Sequence, residues 1–190
     1  EKQEQLRFAL STDAVNWTAL NGNRPIIASD TISKSGGIRD PHILRGEDGK
    51  SFYMVATDMF TVKYGWGENP GIVMLRSEDL INWTHTYIDL AETYPEHFGD
   101  AHWVWAPQTV FDPEAGKYMV YFTLNRKGVG GLVTYYAYAN DDFSGFEGIW
   151  LGEADNDYDS MEFDAEGNWT LYLSGEVVDD GYLRYEPEWE

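Results

Sequence analysis

The chain contains no cysteine, which excludes disulfides, thiolate zinc sites, iron–sulfur clusters and cysteine nucleophiles. It is also poor in positive charge: 13 Lys and Arg stand against 33 Asp and Glu, for a formal net charge of -20. Such a field repels nucleic acid phosphates and anionic lipid, so we expect no nucleic-acid or membrane partner. No apolar run approaches the roughly 20 residues that span a bilayer. The partners that remain include sugars.

Familiar active-site motifs are absent as well. The four histidines do not form an HExxH or another close metal-ligand pattern, and no GxSxG, GxGxxG or P-loop is present. The acidic stretch 155–159 lacks the Gly and the closing Glu of a calcium loop. We therefore predict no metal and no cofactor. With 190 residues, 43% of them hydrophobic, the chain has enough material for one folded domain or a piece of a larger one.

What the sequence does contain is internal repetition. Residues 10–17 (LSTDAVNW) match residues 76–83 (RSEDLINW), and a weaker third copy covers residues 139–146. A second element, a turn followed by an aromatic-rich run, begins near Gly49, Gly116 and Gly167. The repeat unit is about 65 residues long.

Short apolar or alternating runs lie between these markers, at 71–76, 84–90 and 132–139, and no long helical pattern appears. Three or four short strands per repeat with a turn between each are typical of a β-propeller blade. A β-sandwich also has many short strands, but it gives no reason for a motif repeated at this spacing. We predict an all-β fold and a single partial propeller domain over residues 1–190.

A chain of 190 residues holds about three such units, whereas closed propellers usually have four to eight blades. The ring is therefore expected to be incomplete. Two explanations stay open: the chain is a fragment of a longer protein, or its open sheet edges are completed by another copy in a homo-oligomer.

Asp40 is the first candidate for chemistry, because it lies between Arg39 and Pro41 at the start of an apolar run. In a propeller the first strand of each blade lines the central channel, so a carboxylate at its start would face a water-filled funnel. The alternative is structural: Asp40 would pair with Arg39 and cap an Asp-Pro turn.

A second acidic group, residues 155–159, occupies the same place before the third turn-and-strand element as Asp40 does before the first. Asp159 matches the spacing between Asp40 and its following glycine turn better than Asp155 or Asp157 does. Two carboxylates that converge from different blades suit glycoside hydrolysis, and the alternative is a solvated acidic loop.

Aromatic residues concentrate in the stretch 100–108 (DAHWVWAPQ). We expect Trp103 and Trp105 to point to opposite faces of a strand, one into the core and one into the channel. An exposed Trp105 would suit a sugar subsite, because sugar rings bind aromatic faces through their C–H surfaces.

With these residues the chain resembles glycoside hydrolase family 43, enzymes with a five-bladed propeller that act on arabinose- and xylose-containing polysaccharides. The resemblance is carried by GGIRDPHI at 36–43, SEDLINW at 77–83, WAP at 105–107 and KYMVY at 117–121. It implies an inverting mechanism with a general-base Asp, a second Asp that tunes the acid, and a general-acid Glu. It also implies a secreted or periplasmic protein.

Carried over by motif, Asp40 matches the base and Asp159 the second aspartate, while Glu176 is the nearby candidate for the acid. Trp105, His102, Asp58 and Arg39 are expected to line the sugar pocket. The sequence thus predicts a glycosidase of the α-L-arabinofuranosidase or β-xylosidase type that takes an oligosaccharide or polysaccharide. The alternative is a non-catalytic carbohydrate-binding or assembly module built from an incomplete propeller.

Overall fold

The computed structural model describes residues 4–128, 130–151, 158–163, 168–173 and 176–182. They fall into two compact units, Glu1–Leu151 and Gly152–Glu190, which are described separately. The single-domain organisation stays a prediction of the sequence.

The first unit consists of short strands joined by tight turns. Its strands are β1 (Ala9–Leu10), β2 (Thr18–Ala19), β3 (Ile38–Arg45), β4 (Phe52–Asp58), β5 (Gly71–Ser77), β6 (Trp83–Asp89), β7 (Ala101–Asp112), β8 (Lys117–Arg126), β9 (Val133–Ala139) and β10 (Phe146–Leu151). Its helices are α1 (Thr61–Tyr64), α2 (Leu90–Thr93) and α3 (Pro95–Phe98), with 3-10 turns at Asn21–Asn23 and Ser29–Thr31. No described helix is long enough to cross a bilayer.

Two four-stranded antiparallel sheets dominate this unit, with strand orders β3-β4-β5-β6 and β7-β8-β9-β10. Each strand pairs with the next along the chain, which is the meander of a propeller blade. The strands β1 and β2 form a separate two-stranded hairpin. The predicted all-β fold is confirmed, and the two meanders are blades of a partial propeller.

Both faces of the first blade are buried, which explains why β4 and β5 are apolar runs rather than alternating ones. On one face Val55, Ile72 and Met74 pack in a cluster with Val104 and Phe122 of the second blade. Because successive side chains of a strand point to opposite faces, the neighbouring residues of β4 and β5 lie on the other face. There Met54, Ala56, Val73 and Leu75 pack with Leu6, Ile32 and Ile38.

The repeated SxDxxNW motif is the turn between the third and fourth strands of a blade. In the first blade Asp79 Oδ1 accepts hydrogen bonds from the backbone N–H groups of Ile81 and Asn82, at 2.8 and 2.7 Å. The copy between β1 and β2 repeats this pattern with Asp13, Val15 and Asn16. The second repeated element is the turn between the first and second strands of each blade, at β3–β4 and β7–β8.

The second unit contains a three-stranded antiparallel sheet in the order β11-β12-β13. Its strands are β11 (Tyr158–Phe163), β12 (Asn168–Leu173) and β13 (Glu176–Tyr182). The same meander order therefore continues in this part of the chain.

Candidate functional site

The first strands of the two blades carry the same irregularity. The pairing of β3 with β4 shifts between Arg39 and His42, which leaves Asp40 in the left-handed region at φ 49° and followed by Pro41. The pairing of β7 with β8 shifts between Trp105 and Gln108, which leaves Ala106 at φ 48° and followed by Pro107. A bulge leaves a residue unpaired and turns its side chain away from the regular alternation.

A third shift lies in the second unit, where the pairing of β11 with β12 is displaced between Tyr158 and Ser160. Asp159 is the residue at that shift. Asp40 and Asp159 thus hold the same position in their own sheets, with Ala106 at this position of the second blade. The sequence indicates the same correspondence, because Asp40 and Asp159 lie at similar distances before the glycine turn that follows each of them.

Asp40 is exposed, and within the described residues no hydrogen bond or ion pair holds its carboxylate. Arg39 is engaged elsewhere: its guanidinium lies 3.7 Å from Glu4 Oε1 and 5.1 Å from the centroid of the Trp66 ring. The structural alternative in which Arg39 neutralises Asp40 does not match this geometry. The Asp40 carboxylate is open to a water molecule.

Two hydrogen bonds join the first strand of the second blade to the first blade near Asp40. The Ala106 N–H donates to Thr57 Oγ1 at 2.9 Å, and the Thr109 N–H donates to His42 Nδ1 at 3.2 Å. Since His42 Nδ1 accepts, the neutral ring carries its proton on Nε2. Burial lowers the pKa of His42, which favours that neutral form. These bonds fix β7 beside β3.

The tryptophans of β7 differ from expectation. Trp103 and Trp105 stack with ring centroids 4.6 Å apart and an interplanar angle of 12°. The expectation that they point to opposite faces is wrong, because residues two apart in a strand share a face. Trp105 is half-buried, and Trp66 meets it edge to face with ring centroids 5.9 Å apart.

Residues 66–69 were missed by the sequence reasoning, because this segment has no periodicity and belongs to no repeat. The structure ties it to β7 through both indole N–H groups: Trp103 donates to the Gly67 carbonyl at 3.1 Å and Trp105 to Asn69 Oδ1 at 3.0 Å. The three tryptophan rings form one aromatic cluster, consisting of Trp66, Trp103 and Trp105. The tryptophan in an otherwise polar loop was the only available signal.

His102 and Arg39, two of the predicted pocket residues, border this aromatic cluster. The His102 ring lies 4.8 Å from the Trp103 ring. Its Nδ1 is buried, with no hydrogen-bond partner among the described residues. Arg39 stacks on Trp66 as described above. Trp105, His102 and Arg39 are therefore brought together.

Asp58 lies apart from them. Thr57, not Asp58, contacts the strand that carries Trp105, and adjacent residues of a strand face opposite sides. Asp58 is buried, and its carboxylate accepts from the Ser35 N–H at 3.0 Å. It lines a cavity of about 430 Å³ with ten other residues: Lys34, Ser35, Tyr64, Glu68, Asn69, Pro70, Tyr87, Asp89, Ala91 and Glu92. Asn69 lines this cavity and also accepts the hydrogen bond from the Trp105 indole N–H.

The cavity is acidic, with one cation. Lys34 Nζ lies 2.7 Å from Glu92 Oε1 and 3.0 Å from Asp89 Oδ2, and these partners raise the pKa of Lys34 to about 12. Burial, reinforced by the charges of Asp58 and Asp89, raises the pKa of the Tyr87 phenol far above its ordinary value. The phenol therefore stays protonated. Among the described residues no group of three or more acidic or histidine side chains is placed to hold a metal ion.

The other two predicted catalytic residues lie in the second unit. Asp159 is at the bulge of β11, and Glu176 begins β13 opposite Leu173. Their side chains lie outside the described residues, as do Asp155 and Asp157 entirely. The catalytic assignments of Asp40, Asp159 and Glu176 stay predictions.

Comparison with known proteins identifies relatives among enzymes that act on sugars. A family described as "Probable glycosyl hydrolase domain" matches residues 1–179. An α-L-arabinofuranosidase of Bifidobacterium longum subsp. longum is 28% identical over 116 residues, which cover 58% of this chain and 11% of that protein. The chain therefore spans only a small part of this relative.

Two solved structures are also similar. A thermostable family-43 glycoside hydrolase is 22% identical with a TM-score of 0.45, and the match covers 76% of this chain and 44% of the other. The native Bacillus subtilis arabinanase is 24% identical with a TM-score of 0.38, and the match covers 70% of this chain and 46% of the other. The chain spans under half the length of both.

Proposed function

This chain belongs to the glycosyl hydrolase domains related to family 43, and on that premise we propose that it hydrolyses α-L-arabinofuranosyl or β-D-xylosyl linkages with inversion. The name of the Bifidobacterium longum relative supports the arabinofuranosyl choice. The substrate is a neutral oligosaccharide or polysaccharide, in keeping with a net charge of -20.

The observation that carries this proposal is the unpaired, exposed carboxylate of Asp40, which directly follows Arg39, whose guanidinium lies over the Trp66 ring. In an inverting glycosidase a carboxylate takes a proton from water as the water oxygen attacks the anomeric carbon, and the bond to the leaving-group oxygen breaks on the opposite face. A base without a salt bridge and open to solvent can bind that water. We assign this role to Asp40.

The acid side of the reaction is assigned to the second unit. Asp159 holds the bulge position that corresponds to Asp40, and we propose that it tunes and orients the acid. Glu176 is the proposed acid, which protonates the leaving-group oxygen. The sugar that is cleaved would be contacted by Trp105, His102 and Arg39. Asp58 would contribute to the sugar pocket from the neighbouring cavity, which it lines.

The test is the Asp40→Asn variant on aryl α-L-arabinofuranoside and aryl β-D-xyloside. Asn tolerates the left-handed backbone that Asp40 adopts, so the fold should be retained. Loss of a general base lowers kcat by roughly 10² to 10⁴. The matched control is Asp141→Asn, which removes one exposed carboxylate from a turn of the second blade and should leave turnover unchanged.

Two further readouts complete the test. Proton NMR of the first product formed should show the inverted anomer, and the retained anomer would refute the mechanism. Calorimetric titration with arabino- and xylo-oligosaccharides that shows binding without any product would identify a carbohydrate-binding module instead. Unchanged kcat in Asp40→Asn would reject the assignment of the base.

A further inference from the structure

We propose that Trp66 forms a second sugar subsite, which binds the sugar unit next to the one cleaved at Asp40. This inference rests on the proposed function and assigns to Trp66 the recognition of a neutral oligosaccharide chain. It predicts that Trp66 contributes to binding of chains of two or more sugars and little to binding of a single sugar.

The exposure of Trp66 is the first support. Its side chain is 63% exposed, although it lies within a cluster of large aromatic groups. Its contact with Trp105 is edge to face, at an interplanar angle of 70°, so the two rings do not cover each other. Arg39 lies over one face of the ring, so a pyranose or furanose ring would gain its contact energy by laying C–H groups on the remaining exposed aromatic surface.

The position of Trp66 supplies the link to the cleavage site. Arg39, which directly precedes Asp40, has its guanidinium 5.1 Å from the Trp66 centroid. Trp105, which Trp66 also contacts, directly precedes Ala106, the residue at the Asp40 position of the next blade. Trp66 thus contacts the residue that directly precedes each of the two bulges.

The segment that carries Trp66 is held rigidly, which favours binding because little conformational entropy is lost. On its C-terminal side, the Asn69 N–H donates to the His102 carbonyl at 2.9 Å, and the Val104 N–H donates to the Asn69 carbonyl at 3.1 Å. On its N-terminal side, Thr61 Oγ1 donates to Glu4 Oε1 at 2.6 Å. The segment is therefore anchored at both ends.

Charge defines the ligand as neutral. Arg39, the cation that lies over the Trp66 ring, is already paired with Glu4, whose carboxylate lies 3.7 Å away. Glu68, two residues after Trp66, adds a negative charge that Lys127 neutralises. Arg39 and Lys127 are thus both neutralised and offer little to a uronate or a sulfated sugar, whereas hydroxyl-rich neutral chains meet both donors and acceptors.

The experiment compares Trp66→Ala with Trp17→Ala. Trp17 is a matched control, because it is 62% exposed and its indole N–H donates to Ala14 within the outer turn between β1 and β2. Binding of arabinotriose and xylotriose is measured by calorimetry in the Asp40→Asn background, so that no substrate is consumed. Binding of the single sugars arabinose and xylose is measured in the same background.

Trp66→Ala should weaken trisaccharide binding about tenfold, the scale of one aromatic stacking contact, and change the binding of arabinose or xylose less than twofold. Trp66→Phe should restore part of the affinity, and Trp17→Ala should have no effect. Equal trisaccharide affinity in Trp66→Ala and its parent overturns the inference, as does an equal loss for both ligands. If neither the Asp40→Asn parent nor the unmodified protein binds any of these sugars, the proposed function is refuted instead.

Discussion

Two residues with side chains adopt the left-handed backbone at corresponding bulges, Asp40 at φ 49° and Ala106 at φ 48°. For a residue other than Gly, Asn or Asp this conformation costs about 1–2 kcal/mol. Asp tolerates it better than Ala does, so the first blade combines a reactive group with a favourable residue type. In the second blade the same bulge is retained with a side chain that contributes no chemistry.

Ala106 offers a direct test of this strain. Ala106→Val should lower the free energy of unfolding by about 1–2 kcal/mol, because a β-branched side chain is strongly disfavoured at positive φ. Ala106→Gly should not destabilise the protein. Urea unfolding followed by tryptophan fluorescence measures both variants, and a Val variant as stable as the parent would contradict the assigned backbone.

Gly71 is required for a different reason, since an added Cβ would lie 2.4 Å from the ring of Tyr87. Tyr87 borders the acidic cavity, and the overpacking in Gly71→Ala should cost about 1–3 kcal/mol of unfolding free energy. The displaced phenol should also gain solvent, so its spectrophotometric titration moves down toward the ordinary pKa of tyrosine. Gly130→Ala is the control, because nothing lies within 4 Å of its added Cβ. An unchanged titration with unchanged stability would show that Tyr87 is not packed on Gly71.

The turn between β5 and β6 makes the free energy of unfolding depend on pH. The backbone N–H groups of Asn82 and Ile81 hold the pKa of Asp79 at about 2, below its unfolded value of 3.8. A lowered pKa in the folded state contributes stability above the unfolded pKa, and this contribution is lost as the pH falls through the folded value. The turn should therefore weaken between about pH 4 and about pH 2.

The Asp79→Asn variant isolates this effect. It should be less stable than the parent near neutral pH, and the difference should shrink as the pH falls from about 4 to about 2. Thermal unfolding followed by circular dichroism gives the comparison. Glu78→Gln is the control in the same turn, because the exposed Glu78 pairs only with Arg76 among the described residues. A constant difference between parent and Asp79→Asn across this range would contradict the coupling.

The elements show what could be predicted from the sequence and what could not. Short apolar or alternating runs marked β5, β6 and β9, and the repeated turns marked the hairpins at Gly49 and Gly116, because strand patterning and turn chemistry depend on local residues. The stacking of Trp103 on Trp105 was predictable from their spacing but was misjudged. The placement of Trp66 depends on hydrogen bonds to a strand more than 30 residues away, as in the contact of Trp103 with Gly67. No local pattern encodes such a contact.

The excess of acidic residues over the whole molecule should favour the binding of neutral glycans over anionic ones. A net charge of -20 produces a negative potential whose reach is about 10 Å at 0.1 M salt. Arg39 at the aromatic cluster and Lys34 at the cavity are already matched by Glu4, Asp89 and Glu92. The surface thus repels anionic chains over a distance and offers them few free partners on contact.

The expected result is a salt dependence that separates two classes of ligand. Affinity for arabinotriose should be nearly constant as NaCl rises from about 10 mM to about 300 mM, because a neutral ligand feels no net field. Trigalacturonate should bind at least tenfold more weakly at the lower salt concentration, with the gap narrowing as screening increases. Calorimetry with the Asp40→Asn variant measures both without turnover. Tighter binding of trigalacturonate at low salt would mean that local cations outweigh the overall charge, and the neutral-substrate assignment would then be wrong.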